Sequence, residues 1–369
     1  MDRPASPACS RRTIVAGGFA LLALPSAAAN SPRTGLIAGT YAREGGAGLY
    51  PLTPANVGWA AGPPISTIRN ASFGVQAARH GLRYLLEETE QGGLGVYDRG
   101  HRARAMRSTF GADPCHAALS PDQSAIAIAN YSGGSVALWQ LDPVTGLPQG
   151  EAQLVRHEGS GPNTARQAGP HAHWVGFSAD ARWLHAVDLG ADAVFAHRFD
   201  PHTQRLGETR VAYRTAPGAG PRHLARHPRL PVVYLVAELA NTVTVLDAQD
   251  DGTFRARGVS STLPGAFLGT SYAAHIALNA SGTRLYVSNR GHDSIAVFAV
   301  EPDGAVRLIQ HAPSGGHWPR FFLLLEERGE MLVANQRSGT VALLSIEPDG
   351  RLRAMRRSIS IPGIAFLGR

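Results

Sequence analysis

The feature that most constrains this chain is that it repeats itself. Six segments share one pattern: a short strand, a polar turn, then a second apolar strand ending in a carboxylate or an amide. The ends fall at Glu88, Asn130, Asp188, Glu238, Asn289 and Asn335, at intervals of 42, 58, 50, 51 and 46 residues. A period of about 40 to 50 residues marks propellers and solenoids, whose repeats bury their apolar faces against one another. Further alternating strands follow after Gly/Ser/Asn turns, as in SVALWQL, AVFAHRF, TVTVLDA, SIAVFAV and TVALLSI. Strand and turn alternate without a helical period, so each repeat reads as a four-stranded antiparallel blade.

Six repeats leave both ends unassigned. Residues 35–41 with the following GLYPL, and the terminal SISIPGIAFL, are strand-like and together make a seventh blade. A ring closed by strands from both termini leaves no exposed sheet edge. The expectation is an all-β chain forming a single seven-bladed β-propeller closed by N- and C-terminal strands, with very little helix. A six-bladed ring and two packed sandwiches are the alternatives.

Residues 1–29 are read as a removable export signal and 30–369 as the propeller domain. Arg11-Arg12 precedes an apolar run from Ile14 to Leu24, and Ala27-Ala28-Ala29 supplies the small residues of a cleavage site. The paired arginines resemble a twin-arginine signal, which engages export machinery that carries folded proteins across a bacterial inner membrane. A chance arginine pair in an ordinary secretory signal gives the same periplasmic or secreted destination. No later segment approaches the roughly 20 apolar residues of a membrane span, so no membrane contact is expected after signal removal.

Composition excludes several chemistries. All 35 Lys+Arg residues are arginine, which rules out lysine Schiff bases, pyridoxal phosphate and a phosphate-loop lysine. Of the two cysteines, Cys9 lies in the signal, so Cys115 has no intramolecular disulfide partner. Cys115 reads as a small packing residue rather than a nucleophile. The formal net charge of +7 is scattered, without a basic run or interleaved aromatics. That argues for ordinary surface charge plus an anion-attracting site, and no nucleic-acid partner.

Topology locates the site. In an antiparallel pair, the start of the first strand and the end of the second share an edge, so in every blade these positions reach one face of the ring. The first-strand starts are His116, His171 with His173, Arg222 with His223, His275, and Arg320; the second-strand ends include Glu88, Asn130, Asp188, Glu238, Asn289 with Arg290, and Asn335. Histidines, arginines and carboxylates gather there, while the opposite turns read PDQ, AD, HPRL, ASG and ERG. The loop from His157 to His173 feeds that face, and His171 and His173, two residues apart, share one side of an extended segment. Some residues have plain structural readings: terminal asparagines cap their own backbone, His116 and His275 are satisfied core histidines, and Arg222 and Glu238 form an ion pair within a blade. HAH offers two ligands at most and no HxxxH or CxxC set exists, so no metal is expected.

The segments PCHAALSPD, ANYSGGSV, HEGSGPN with RQAGPHAH, GPRHLARHP, AELANTVTV, SNRGHDSIAVF and GGHWPRFF resemble the seven-bladed lactonase family, of which the propeller-type 6-phosphogluconolactonase is the named member. More distantly they resemble the fungal muconate-lactonizing enzymes. The likeness runs from about Leu36 to the C-terminus. It implies catalytic roles for His171, His173, Arg222, Glu238 and Arg290. His116, Asn130, Asp188, His223, His275, Asn289 and Arg320 remain as substrate-binding candidates. The first and fourth repeats keep the carboxylate of the family's Asn-Glu ending but not its neighbour, as Glu87-Glu88 and Ala237-Glu238.

The implied activity is hydrolysis of a sugar lactone, an aldonolactone or its 6-phosphate, by a carboxylic-ester hydrolase. Its only partner is the small-molecule lactone, and no cofactor is needed. Arg290 or Arg222 would stabilise the oxyanion, and His171, His173 or Glu238 would take the proton of water. The alternatives are a non-catalytic ligand-binding propeller and a muconate-type cycloisomerase.

Overall fold

The computed structural model describes Met1 and residues 35–369. The export signal expected over residues 1–29 lies, Met1 aside, outside the described residues. Seven four-stranded antiparallel sheets follow one another along residues 35–369. Blades 1 to 6 cover residues 71–108, 114–156, 172–214, 221–261, 272–313 and 319–360. Blade 7 joins the two ends: the C-terminal strand Ile364–Gly368 lies innermost, followed outward by Leu36–Thr40, Tyr50–Pro54 and Trp59–Ala61. Phe366 pairs with Gly39 and Gly368 with Ile37, so the ring is closed by backbone hydrogen bonds between the termini. The SISI segment expected in this closing blade belongs instead to the outer strand of blade 6, Leu352–Ser360. Trp59–Ala61 takes the place that it was expected to fill.

The core is radial rather than central. Leu86, Leu94 and Val96 of blade 1 pack on Ile126, Ile128 and Trp139 of blade 2. The equivalent apolar faces meet between blades 2 and 3, 3 and 4, 4 and 5, and 5 and 6. Both faces of a blade are therefore covered, and the second strands read as uninterrupted apolar runs such as AIAIAN and VVYLVA. Tyrosine reinforces three interfaces: the hydroxyls of Tyr84, Tyr234 and Tyr286 donate to the carbonyls of Gly146, Gly304 and Gly350 in the next blade.

The innermost strands carry the feature that makes a site. In blades 1 to 6 the register with the second strand slips near the strand start, for example between Pro114 and His116 and between Pro221 and His223. A bulge places two residues opposite one and re-aims their side chains. Consecutive residues of each strand consequently turn toward the axis in two tiers. The lower tier takes Phe73, His116, Trp174, His223, His275, Phe321 and Phe366, whose rings touch around and across the axis with centroids 4.0–6.1 Å apart. This aromatic plug forms a floor. The tier above it holds Cys115, His173, Arg222 and Arg320.

Candidate active site

Glu238 is the centre of the upper tier. It follows the second strand of blade 4, Val232–Ala237, and is 2% exposed. Three guanidiniums from three places converge on its carboxylate. Arg166 donates through Nη2 to Oε1 at 2.6 Å, while Arg222 Nε and Arg290 Nη2 reach Oε2 at 3.1 and 2.7 Å. Burial alone would raise the Glu238 pKa, yet Arg290, Arg222 and Arg166 together outweigh it and hold the group well below the usual carboxylate range. Glu238 stays ionised and is a poor base near neutral pH. Its role is to gather arginines.

The arginines differ in what they have left to give. Arg222 spends Nε on Glu238 and Nη1 on His223 Nε2 at 3.1 Å and the Ala274 carbonyl at 2.8 Å. Burial, with Arg290 and Arg320 nearby, pushes its pKa down to about 9. Arg290 gives Nε to the Tyr272 carbonyl and Nη2 to the Ala273 carbonyl, and its guanidinium sits between the rings of Tyr272 and Trp318 at 5.9 and 5.7 Å. Arg166, on the short helix Thr164–Gln167, commits only Nη2, to Glu238 and to the Tyr131 hydroxyl. Arg320 stands apart: its nearest carboxylate among the described residues is Glu88 at 3.7 Å, which also accepts the Tyr41 hydroxyl at 2.8 Å. Although burial opposes it, the neighbouring Tyr41 and Glu88 hold the Arg320 guanidinium above its ordinary pKa. Four guanidiniums thus face two carboxylates, and the excess positive charge suits a ligand on which negative charge develops.

His171 and His173 come together as their spacing implied, and both meet the ring of Tyr131. His171 stacks on it with centroids 4.5 Å apart, and His173 meets it edge-on at 5.2 Å. The Nδ1–H of His171 donates to the Tyr131 carbonyl at 3.1 Å, which leaves Nε2 as a lone-pair acceptor. His171 is half-buried. His173 is buried against Cys115, Sγ to Nδ1 3.6 Å. Burial, and then the charge of Arg222, push its pKa well below the ordinary histidine value, so it is neutral. Burial likewise drives the Cys115 thiol far up, as a packing residue requires.

The remaining candidates divide by tier and by register. His116, His223 and His275 lie in the lower tier, driven neutral by burial and the charges around them. His223 accepts from Arg222 and so can donate from Nδ1 to His275 Nδ1, 3.4 Å away, which makes it a prop for Arg222. Asn130 and Asn289 are not among the residues that contact the Glu238 group. Both are fully buried, and their Nδ2 groups donate to the Thr109 and Thr262 carbonyls at the end of the preceding blade's outer strand, at 3.0 and 2.8 Å. They latch neighbouring blades, as Asn335 does to Ser314. Asp188 holds the same position in blade 3. Its Oδ2 takes Nδ1 of His157, the residue after blade 2's outer strand, at 2.8 Å, and its Oδ1 takes the backbone N–H groups of His171 and Ala191. Asp188 is therefore a latch that also fixes the His171 loop.

One residue of register separates latch from lining. The residues paired with the innermost strand starts are Asn130, Asp188, Ala237 and Asn335; those one step later are Tyr131, Leu189, Glu238 and Gln336. Glu88 likewise follows Glu87, and Arg290 follows Asn289. In a strand a shift of one residue moves the side chain to the other side. Aligning the dipeptides Glu87-Glu88, Asn130-Tyr131, Ala237-Glu238 and Asn289-Arg290 would have picked out Tyr131, which sequence reasoning missed. Arg166, Tyr41, Tyr272 and Trp318 were also missed: Tyr41 holds the same position in blade 7, one step after Thr40, and Tyr272 begins the innermost strand of blade 5 opposite Arg290, whereas Arg166 and Trp318 lie outside the strands.

Comparison with known proteins agrees with this architecture. Residues 35–367 match the family model described as "Lactonase, 7-bladed beta-propeller". The chain belongs to the seven-bladed β-propeller lactonase family. It is 31% identical over 297 residues to the 6-phosphogluconolactonase of Bacillus subtilis, covering 77% of this chain and 83% of that one. The periplasmic gluconolactonase PpgL of Pseudomonas aeruginosa superposes with a TM-score of 0.83 at 28% identity, covering 90% of this chain and 98% of that structure. A Lactobacillus plantarum protein superposes with a TM-score of 0.84 at 26% identity, covering 91% and 98%. Within this lactonase fold, the convergence of two carboxylates, four arginines and two histidines above an aromatic floor is the candidate active site.

Proposed function

We propose that this lactone-hydrolysing carboxylic-ester hydrolase opens the ring of an aldonolactone, free or 6-phosphorylated, at the Glu238 face, using arginines and a histidine without a metal or organic cofactor. The observation that carries the mechanism is the state of His171: its Nδ1–H is committed to the Tyr131 carbonyl, so Nε2 is set to take a proton from water. The activated water adds to the lactone carbonyl carbon. Charge then develops on the carbonyl oxygen, and the uncommitted donors of Arg166 with Nη1 of Arg290 stabilise it in a site already fixed by Glu238. As the tetrahedral intermediate collapses, the bond from the carbonyl carbon to the ring oxygen breaks. The proton on His171 passes to the departing alkoxide, and the product is the open hydroxy acid.

Arg320, Glu88 and Tyr41 would contact sugar hydroxyls, or a phosphate, on the other side of the mouth. Glu238 and Arg222 act as positioning residues. A periplasmic location, proposed from the arginine pair and the apolar run, would bring the enzyme unphosphorylated aldonolactones. The test is acid release from glucono-δ-lactone, corrected for spontaneous hydrolysis, by wild type and Arg290→Ala. The expected result is acceleration by wild type and at least a tenfold loss in the variant. Equal rates in two folded proteins would overturn the assignment, and ligand binding without turnover would identify a non-catalytic propeller.

A further inference from the structure

The inter-blade interfaces on the rim opposite Glu238 differ at one position of the second strand, which is Ala127, Leu332 and Ile37 in blades 2, 6 and 7. Tyr84, Tyr234 and Tyr286 occupy equivalent positions in the second strands of blades 1, 4 and 5, and each reaches a glycine carbonyl of the following blade. In blade 3 that position is His185. The shorter ring keeps the contact, with Nε2–H donating to the Gly252 carbonyl at 2.8 Å, and it leaves space that tyrosine would fill. A cavity of about 280 Å³ opens there between blades 3 and 4, at the small end of the range for ligand sites.

Into the same cavity blade 4 places a cation. Arg226 stands three residues after His223 on the innermost strand, where blades 1, 2, 3, 5 and 6 carry Gln76, Leu119, Phe177, Leu278 and Leu324, and blade 7 carries Arg369, which is paired with Glu327. Its Nη2 donates to His185 Nδ1 at 2.7 Å, which the Nε2–H tautomer leaves free to accept. Its Nε is shut off from solvent and has no hydrogen-bond partner, and among the described residues no carboxylate lies within ion-pair distance of it. The carboxylates at the mouth belong to Arg182: Asp180 at 2.5 Å and Asp250 at 3.9 Å. Burial pushes the Arg226 guanidinium down to about 10, so it is still charged at neutral pH. A buried cation that no carboxylate touches is costly, even with Asp180 acting on it from further away, and guanidinium donors present a geometry that carboxylates match. Trp183, Val233 and Phe254 are among the apolar residues that line the cavity, with the Phe254 ring stacked on His185 and the Trp183 ring facing Arg198 and Arg210.

We propose that this cleft between blades 3 and 4 is a second binding site, which takes a small organic carboxylate with a flat or apolar body. The carboxylate bonds to Arg226, and the body lies against the apolar lining of Trp183, Val233 and Phe254. The site is independent of lactone hydrolysis.

The test is calorimetric titration of the full-length protein with benzoate and with neutral benzamide, in wild type, Arg226→Leu and Arg226→Gln. Wild type should bind benzoate saturably and benzamide at least tenfold more weakly. Both variants should lose benzoate affinity at least tenfold while hydrolysing glucono-δ-lactone at the wild-type rate. Arg226→Leu should melt no lower than wild type, because leucine is the residue used in three other blades. No saturable benzoate binding in wild type by about 10 mM, where a Kd of 1 mM would be nearly saturated, would overturn the proposal. So would benzoate binding that survives in both Arg226 variants, and its loss in Arg166→Gln would then place the ligand at the Glu238 face.

Discussion

Replacing Glu238 by glutamine removes one negative charge and leaves the side chain's shape intact. The structure dictates the consequence: Arg166, Arg222 and Arg290 lose their shared counter-ion, and the new amide points N–H donors at guanidiniums that cannot accept them. Breaking a buried ion pair from one side costs about 3–5 kcal/mol. For a domain of this size, with unfolding entropy of about 2 cal/mol/K per residue, that corresponds to a Tm lower by about 4–7 °C. The pH dependence has a definite sign. The Glu238 pKa is depressed in the folded state, so its contribution to stability is present above the unfolded carboxylate value and is lost as pH falls toward the folded one. Glu238→Gln should therefore lose most stability at neutral pH, and the gap to wild type should narrow as the pH drops below about 4. Calorimetric melting from pH 3 to 8 measures both effects, and lactone turnover should fall at least tenfold in parallel. A variant with wild-type Tm at pH 7 and a gap that widens in acid would refute the reasoning that Glu238 is an ionised hub.

Three further outcomes can be checked. His171→Asn should lower kcat for lactone hydrolysis by about 10² or more with little change in KM, as expected for a general base, and a purely structural His171 would leave kcat within a fewfold. Asn289→Ala should cost about 1 kcal/mol, by removing one of the two donors on the Thr262 carbonyl, the other being His311 Nε2 at 3.0 Å, while kcat/KM of the folded enzyme stays unchanged; a selective loss of activity would return Asn289 to the site. With Cys9 replaced by serine, Cys115 should resist iodoacetamide at pH 8 in the folded protein and react on denaturation, since burial raises its thiol pKa; rapid native labelling would contradict that environment.

The fold was legible because a propeller is a repeated local pattern. Two-residue alternation, short turns and a period near 50 residues appear directly in the letters, and the leftover strands at both ends required a shared blade. Only the assignment of the last strands went astray, since SISI and the terminal IAFLG are equally strand-like and only pairing decides between them. The site was half legible. The structure brings His171, His173, Arg222, Glu238, Arg290 and Arg320 together because strand edges converge. Asn130, Asp188 and Asn289 were collected with them because a one-residue offset is invisible until the register and the bulge of each blade are known. Arg166 sits inside the His157–His173 stretch that sequence analysis singled out, yet its contact with Glu238 spans 72 residues and no local pattern records it.

The central claim is that lactone chemistry occurs where Glu238 gathers the arginines beside His171. The most direct measurement is the structure of the protein bound to glucono-δ-lactam, an unreactive analogue of the lactone. The account predicts the lactam carbonyl oxygen on the donors of Arg166 and Arg290, with its carbonyl carbon facing His171 Nε2 across room for one water. A lactam bound elsewhere on the ring, or bound here with its carbonyl turned away from both arginines, would contradict it.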